Sequence, residues 1–373
     1  MNPTLTFVGS LAGLRPVALD GAVGYFTSAD DLLLVRLSDL AVLDSVRLPL
    51  PIPARSLARS SLCSRVLRLG VRCGVCWRNT VVLAVGGKLI SARRVGDRLS
   101  DMRVEANLAK GRSALGLTGV DAFAGFDEGI YFGDYFPNPS RRPAALMHRS
   151  ASGRWRQVFE FPAGEVNHIH SVVPDRTLGC LWVLTGDYGH SAGIWMARDN
   201  FSAVEPVFRG CQSVRACVAF PVRNGLLYAS DSQLRPNSIR VLSMNGEGWA
   251  HRELHPVNGP VIYGARVGSW HVFSTATEPN QPSRSRVAAL LDRKPGPGIL
   301  RNESHVVIGT VEHGFRTVLT RVKDELPYRL FQFGHIAFPS GVSDCDRLFL
   351  YSVANQGASM TTEVFELRGE CPQ

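Results

Sequence analysis

The densest group of chemistry-bearing residues in the chain is Glu165-Val166-Asn167-His168-Ile169-His170-Ser171. On a regular strand His168 and His170 share one face, about 7 Å apart, while Ile169 points to the other. Two imidazoles so placed can share an anionic ligand, bind a metal ion, or act as a base and its partner. The structural alternative, one imidazole bonded to a backbone carbonyl inside the ring and the other capping a strand, weighs equally for the pair and is the favoured reading for either histidine alone. The following apolar run ends in Thr185-Gly186-Asp187-Tyr188-Gly189-His190, and Gly133-Asp134-Tyr135 and Ser230-Asp231-Ser232 end neighbouring runs in the same way. If the units are equivalent, Asp134, Asp187 and Asp231 lie on one rim; Gly-Asp and Ser-Asp are also ordinary turn pairs. Two carboxyl groups flanking a glycosidic bond are what hydrolysis needs. His168, His170 and Tyr188 beside an arginine would instead suit β-elimination from a uronic acid, with a base, an acid and a neutralised carboxylate. His168, His170, Asp187, Tyr188 and Asp134 are therefore the catalytic candidates. A divalent metal, if one is held, is expected on His168, His170 and His190.

Arg215 lies in Ser213-Val214-Arg215-Ala216-Cys217-Val218, opening the next unit where the histidine pair opens its own. A guanidinium in an apolar strand must find an anion or carbonyls. Its planar fork suits a carboxylate or phosphate. His335 opens the last unit similarly, beside Gln332. Arg215, Asp231, Tyr135 and His335 are the expected substrate contacts, with Glu278, Tyr263 and His271 as weaker ones. The GxSxG elbow, the P-loop, the GxGxxG fingerprint and HExxH are all absent, so serine acyl chemistry and nucleotide hydrolysis are not leading classes.

What must position these groups is a repeat. Apolar runs that end in small polar residues recur seven times: at 22–28, 80–86, 129–134, 181–187, 226–231, 270–275 and 348–352. Each is rich in aromatic and β-branched residues and bounded by Gly, Ser or Asp. Most are followed by a turn and a second strand. A unit of roughly 45–55 residues with about four strands predicts an all-β fold, a β-propeller of seven blades of four antiparallel strands. As a single domain over 1–373, the blades are expected near 12–60, 61–115, 116–163, 164–211, 212–257, 258–327 and 328–373. Residues 1–11 are expected to close the ring as an outer strand of the last blade. The sixth unit is over-long, and Pro295-Gly296-Pro297-Gly298 predicts a surface insertion at 291–316, before an outer strand at 317–322. The stretch 57–68 reads equally as a short helix or a poor strand.

Composition bounds the rest. No stretch reaches the ~18–20 apolar residues of a membrane span, and the start lacks a basic n-region and an apolar h-region. A cytoplasmic protein with no membrane span is expected. The eight cysteines form no framework, and Cys73-Gly74-Val75-Cys76 would point its thiols to opposite strand faces; reduced core thiols are expected. The net charge is +9, carried by arginines spread along the chain with small clusters such as Arg141-Arg142 and Arg284-Ser285-Arg286. Dispersed charge argues against nucleic acid and for an anionic partner: an acidic glycan or sugar precursor.

Gly133-Asp134-Tyr135, Phe161-Pro162-Ala163-Gly164, His168-Ile169-His170-Ser171 and Trp182-Val183-Leu184-Thr185-Gly186-Asp187 together resemble the sialidase-like β-propellers. These are labelled glycosyl hydrolase or BNR-repeat proteins and occur in bacterial surface-polysaccharide gene sets. Leu326-Pro327-Tyr328-Arg329-Leu330-Phe331-Gln332-Phe333-Gly334 and Phe338-Pro339-Ser340-Gly341 are similar too. The resemblance covers about 120–245 and 325–352. The Asp-box departs: Ser150-Ala151-Ser152-Gly153-Arg154-Trp155 lacks its Asp, and Arg198-Asp199-Asn200-Phe201 lacks its Gly and Trp. The arginine triad and tyrosine nucleophile of true sialidases do not map onto this chain. The resemblance implies a carbohydrate-active protein, a glycosidase or polysaccharide lyase. The alternatives are a non-catalytic propeller binding glycan or protein in polysaccharide biosynthesis, and a protein-interaction hub working from an outer face.

Overall fold

The computed structural model describes residues 3–280 and 286–369. Arg284, Ser285 and Cys371 lie outside the described residues. Seven antiparallel sheets follow one another around a ring, each running from an innermost to an outermost strand. Blade 1 holds Arg15–Gly21, Val23–Thr27, Asp31–Arg36 and Val42–Arg47; blade 2 holds Val71–Trp77, Thr80–Val85, Lys88–Val95 and Arg103–Asn107. Blade 3 holds Thr118–Val120, Gly129–Gly133, Ala144–Arg149 and Trp155–Phe161; blade 4 holds His168–Asp175, Cys180–Gly186, Gly193–Arg198 and Ala203–Arg209. Blade 5 holds Ala216–Val222, Gly225–Ser230, Asn237–Asn245 and Gly248–Val257; blade 6 holds Val261–Val267, Trp270–Thr275, Glu303–Thr310 and Gly314–Val322. Blade 7 is made of His335–Ala337, Arg347–Val353 and Thr361–Arg368, with Thr4–Ala12 as its outermost strand. Short extra strands extend two blades: Ser340–Ser343 lies parallel to Arg15–Gly21 in blade 1, and Arg98–Leu99 antiparallel to Lys88–Val95 in blade 2.

The apolar runs are the second strands, and they are buried on both faces. Gly129–Gly133, Cys180–Gly186, Gly225–Ser230 and Trp270–Thr275 contain no exposed residue. A strand covered on both sides by neighbouring blades loses the in–out alternation of a half-exposed sheet. Trp182 is fully buried and donates its indole N–H to Asp175 Oδ2 at 3.0 Å. Asp175 Oδ1 accepts from the Thr177 and Leu178 amides, which fixes the hairpin turn. Side chains also stitch blade to blade: Thr118 Oγ1 donates to Val172 O at 2.8 Å and Ser171 Oγ to Cys217 O at 2.9 Å.

One irregularity recurs near the start of the innermost strands. Pairing slips by one residue between Pro16 and Ala18, Val71 and Cys73, Ile169 and Ser171, Ala216 and Ala219, and Val261 and Tyr263. Each slip is a β-bulge, which bends the strand and re-aims one side chain. In blade 4 the extra residue is His170.

The stretch around 57–68 is helical: Ile52–Ala58 and Ser61–Leu67 connect blades 1 and 2, and Ser60 Oγ accepts from the Cys63 amide at 3.3 Å. Arg65 reaches the link before blade 7, donating to Phe331 O at 2.8 Å and pairing with Asp324 at 2.7 Å. The long segment of the sixth unit falls one strand earlier than its sequence position suggested, between Trp270–Thr275 and Glu303–Thr310. The Cys73 and Cys76 thiols part to opposite sides, toward Ala114 O at 3.7 Å and Tyr25 OH at 3.4 Å, and burial pushes both up to about 12. Among the described residues no helix is long and apolar enough to cross a membrane.

Thr4–Ala12 pairs with Thr361–Arg368 through most of its length, so the last blade is built from both ends of the chain. Removing residues 3–12 is expected to lower stability by at least ~3 kcal/mol, read as a lower urea midpoint, because the ladder and its closure are lost together. An unchanged midpoint would mean that the ring holds without this strand.

Candidate functional site

The innermost strands begin, and the second strands end, at the same face of the ring. Several of the polar residues singled out by spacing therefore meet at one mouth. His168 opens its strand opposite Gly186, and the bulge turns His170 back toward it. The two rings come to 4.9 Å between centroids, with Nε2 of one 3.0 Å from Nε2 of the other. Gly186 makes this possible, because a Cβ there would lie 2.3 Å from His170 Cε1. Each ring is pinned from behind: His168 Nδ1 meets Phe136 O at 3.0 Å and His170 Nδ1 meets Ala216 O at 2.8 Å. A carbonyl only accepts, so both Nδ1 atoms carry protons. In a neutral ring Nε2 is then a bare lone pair.

Asp187 follows the second strand of blade 4 across a cis peptide bond. Its Oδ1 lies 3.2 Å from His168 Nε2, 3.5 Å from His170 Nε2 and 3.0 Å from Arg215 Nη2. Arg215 Nη2 also reaches Asp231 Oδ2 at 3.2 Å, and Cys217 Sγ donates to the same oxygen at 3.1 Å. Gln212 Nε2 donates to Asp187 O at 2.8 Å, and Asn167 Oδ1 accepts from the Asp187 amide at 3.1 Å. Burial opposes ionisation of Asp187, but hydrogen bonds from His168 and His170 whenever those rings are protonated, and the charge of Arg215, outweigh burial and hold the carboxyl below the usual range. The Arg215 side chain is only 7% exposed, and its Nε and Nη1 make no hydrogen bond within the described residues. The guanidinium sits 5.5 Å from the Tyr188 ring centroid, and Gln233 Nε2 donates to the Tyr188 hydroxyl at 2.8 Å. Tyr135 packs on His168 at 4.4 Å between centroids, under the Arg72 guanidinium at 4.9 Å. Burial raises both phenols above their ordinary value.

Glu278, a weaker contact by spacing alone, belongs to the same charged cluster. It lies three residues past the second strand of blade 6, where the long insertion holds it: Gly296 N donates to Glu278 O at 2.8 Å. Burial first, and the charge of Asp231 next, push its carboxyl up to about 8 against the pull of Arg215. Glu278 Oε2 is buried without a hydrogen-bond partner. The environments at the mouth thus favour the ionised form of Asp187 and the acid form of Glu278. Carboxyls whose environments drive their pKa values apart take opposite acid and base roles.

Several expected contacts lie elsewhere. Asp134 does not join Asp187; Arg112 pairs with its carboxylate, and the Ala145 amide donates to it at 3.0 Å. It anchors blade 3 instead of facing the mouth. His190 is exposed beside Gly210, and the third donor next to the histidine pair is Asp187. His335 lines the channel against Tyr263, at 5.4 Å between centroids, with Nδ1 meeting Phe333 O at 3.0 Å. Burial lowers it to about 4, so it is neutral at pH 7. His271 packs on Phe220 between blades at 5.1 Å. A recess of about 790 Å³ opens at the blade 2–blade 3 edge beside Trp77, Arg78, Arg93 and Arg103, away from all these groups. Its Arg149 is taken by Glu105 at 2.6 Å. Convergence of titratable groups, not recess size, marks the mouth as the candidate site.

Arg215→Met leaves Asp187 and Asp231 facing each other without their shared cation. A loss of about 3–5 kcal/mol is expected in urea denaturation at pH 7; a loss under ~1 kcal/mol would mean that the pair is compensated from elsewhere. Glu278 gives a pH signature. Its folded value lies above the ordinary carboxylate value of 4.5, so the native state holds a proton that the unfolded chain releases. Stability therefore falls as pH rises from about 4.5 to about 8 and levels off above. Glu278→Gln is expected to remove that decline, gaining on the order of 2 kcal/mol over wild type at pH 8 and little at pH 5. Parallel stability–pH curves for the two proteins would contradict the assignment.

No family model matches the chain, and no curated protein matches its sequence. Solved structures do share its fold. A chain from the complex of S. cerevisiae Dbp5 bound to Nup159, Gle1, IP6 and ADP aligns over 98% of this chain and 96% of that one, at 10% identity and TM-score 0.51. The N-terminal domain of Nup159 aligns over the same shares, at 10% identity and TM-score 0.52. The AfRom2 CNH domain aligns over 99% of this chain and 100% of that one, at 8% identity and TM-score 0.53. Identities this low show the fold alone, a seven-bladed β-propeller; the resemblance to sialidase-like proteins extends to the propeller and no further.

Proposed function

We propose that the mouth cleaves a glycosidic bond in an acidic saccharide by acid–base catalysis. The observation that carries this reading is the convergence of the Glu278 carboxyl, whose burial favours its acid form, with the Asp187–Arg215 ion pair and the buried imidazoles. Glu278 is the proton donor to the leaving oxygen. The cluster of His168, His170 and Asp187 is the basic half, drawing a proton from water in hydrolysis or from the sugar in elimination. Arg215, with two donors unused inside the protein, and the exposed Arg72 attract the substrate carboxylate. The Tyr135 and Tyr188 rings beside those arginines offer faces on which a sugar ring can rest.

A second reading is a protein-docking propeller. It is favoured by exposed apolar side chains on the short helices at Leu57, Leu62 and Leu67 and near Val287 and Leu290. In the structure of the Dbp5 complex, Nup159 is likewise one of several bound proteins. On this reading the histidine pair is dispensable.

The deciding experiment is a panel of uronate-containing and sialylated oligosaccharides assayed for new reducing ends and for unsaturated products. Turnover by the wild type is expected. Glu278→Gln is expected to lower kcat by roughly 10²–10⁴-fold with KM little changed. Wild-type kcat should decline as pH rises through about 8, where the acid form of Glu278 is lost. Absence of turnover across the panel by folded protein would overturn the catalytic reading in favour of the docking one.

A further inference from the structure

We propose that His168, His170 and Asp187 bind a divalent transition-metal ion at the channel mouth. The inference stands on ligand geometry and does not depend on the reaction proposed above. Three acceptor atoms face a common point: His168 Nε2, His170 Nε2 and Asp187 Oδ1, separated by 3.0, 3.2 and 3.5 Å. Donors about 2.1 Å from an ion lie roughly 3.0 Å apart at right angles and roughly 3.4 Å apart at tetrahedral angles. The observed separations span that interval.

The proton inventory points the same way. Both Nδ1 atoms donate to backbone carbonyls, of Phe136 and Ala216, so in the neutral rings neither Nε2 has a hydrogen to give. Two lone pairs 3.0 Å apart next to a carboxylate oxygen repel unless a cation lies among them. A single added proton bridges two of the three atoms and leaves the third facing a lone pair, whereas one metal ion satisfies all three. Metal-bound histidines characteristically donate their other ring N–H to a carbonyl or carboxylate, which fixes tautomer and orientation. Here that outer layer is complete, and the Tyr135 ring holds His168 from the side. Arg215 Nη2 also pairs with Asp187 Oδ1, at 3.0 Å. The Asp187 side chain is 25% exposed and Tyr188 is exposed, so the coordination sphere opens to the mouth, leaving positions for water or a substrate oxygen. Two imidazoles and one carboxylate suit Zn²⁺ or Fe²⁺ over Ca²⁺ or Mg²⁺, which prefer oxygen. In the reaction proposed above, an ion here would take over the basic half by lowering the pKa of a bound water.

Full-length protein stripped with EDTA is titrated with Zn²⁺ by calorimetry, and Co²⁺ loading is followed by visible absorption. The wild type is expected to take one equivalent of Zn²⁺ and to show Co²⁺ ligand-field bands displaced by Zn²⁺. Asp187→Asn and His170→Gln are expected to weaken Zn²⁺ binding by more than ~100-fold, while His190→Gln binds as the wild type does. Folded wild type that binds neither ion stoichiometrically would overturn the inference, as would a site that survives Asp187→Asn but is lost with His190→Gln. The wild-type titrations decide the question even if a variant misfolds. Zn²⁺ binding without saccharide turnover keeps this inference and sinks the reaction; turnover by folded protein that binds neither Zn²⁺ nor Co²⁺ does the reverse.

Discussion

A buried guanidinium must be paired, and in this ring the pairing of Arg215 holds the mouth together. Arg215 comes from the lead-in to blade 5, Asp187 from the end of a blade 4 strand and Asp231 from the end of a blade 5 strand. Desolvating the arginine is tolerable only because both carboxylates are within hydrogen-bond reach. That requirement fixes where blades 4 and 5 meet. It also decides where the imidazoles find a carboxylate. The charge of Arg215 in turn keeps Asp187 ionised in a place where burial would neutralise it.

The innermost bulges are the second constraint. A ring of blades crowds its inner strands, and regular pleating would send alternate residues into the neighbouring blade. One extra residue per strand lets the chain rotate at the mouth while the lower part of the strand keeps its register. In blade 4 this converts two side chains nominally 7 Å apart into two ring nitrogens 3.0 Å apart. In blade 5 the same slip falls at Cys217 and Val218, and Cys217 Sγ is turned onto Asp231. Chemistry and irregularity occur at the same level of the ring because the bulge is what aims the groups.

These two constraints explain what the sequence made legible. The fold could be read because each second strand is an unbroken apolar run closed by small polar residues, and burial on both faces requires that pattern. His168, His170, Asp187, Arg215 and Asp231 could be read because they recur at the same place in successive units. Asp134 occupies an equivalent position yet is consumed by Arg112, a residue from the preceding link whose reach no local pattern encodes. Glu278 is hard to read for the opposite reason: it sits three residues beyond its strand, off the repeat, and the insertion folds back through Gly296 to hold it. His190 shares a short segment with Asp187, but the turn at Gly189 directs it outward. The helices at 52–67 are an insertion outside the repeat, so periodicity could not assign them.

The account rests on the two imidazoles presenting bare Nε2 atoms to a common point. ¹⁵N NMR of histidine-labelled full-length protein at neutral pH measures this directly. The account predicts that His168 and His170 both carry their proton on Nδ1, with Nε2 resonances at the unprotonated or metal-bound position. An Nε2-protonated ring at either residue would contradict it.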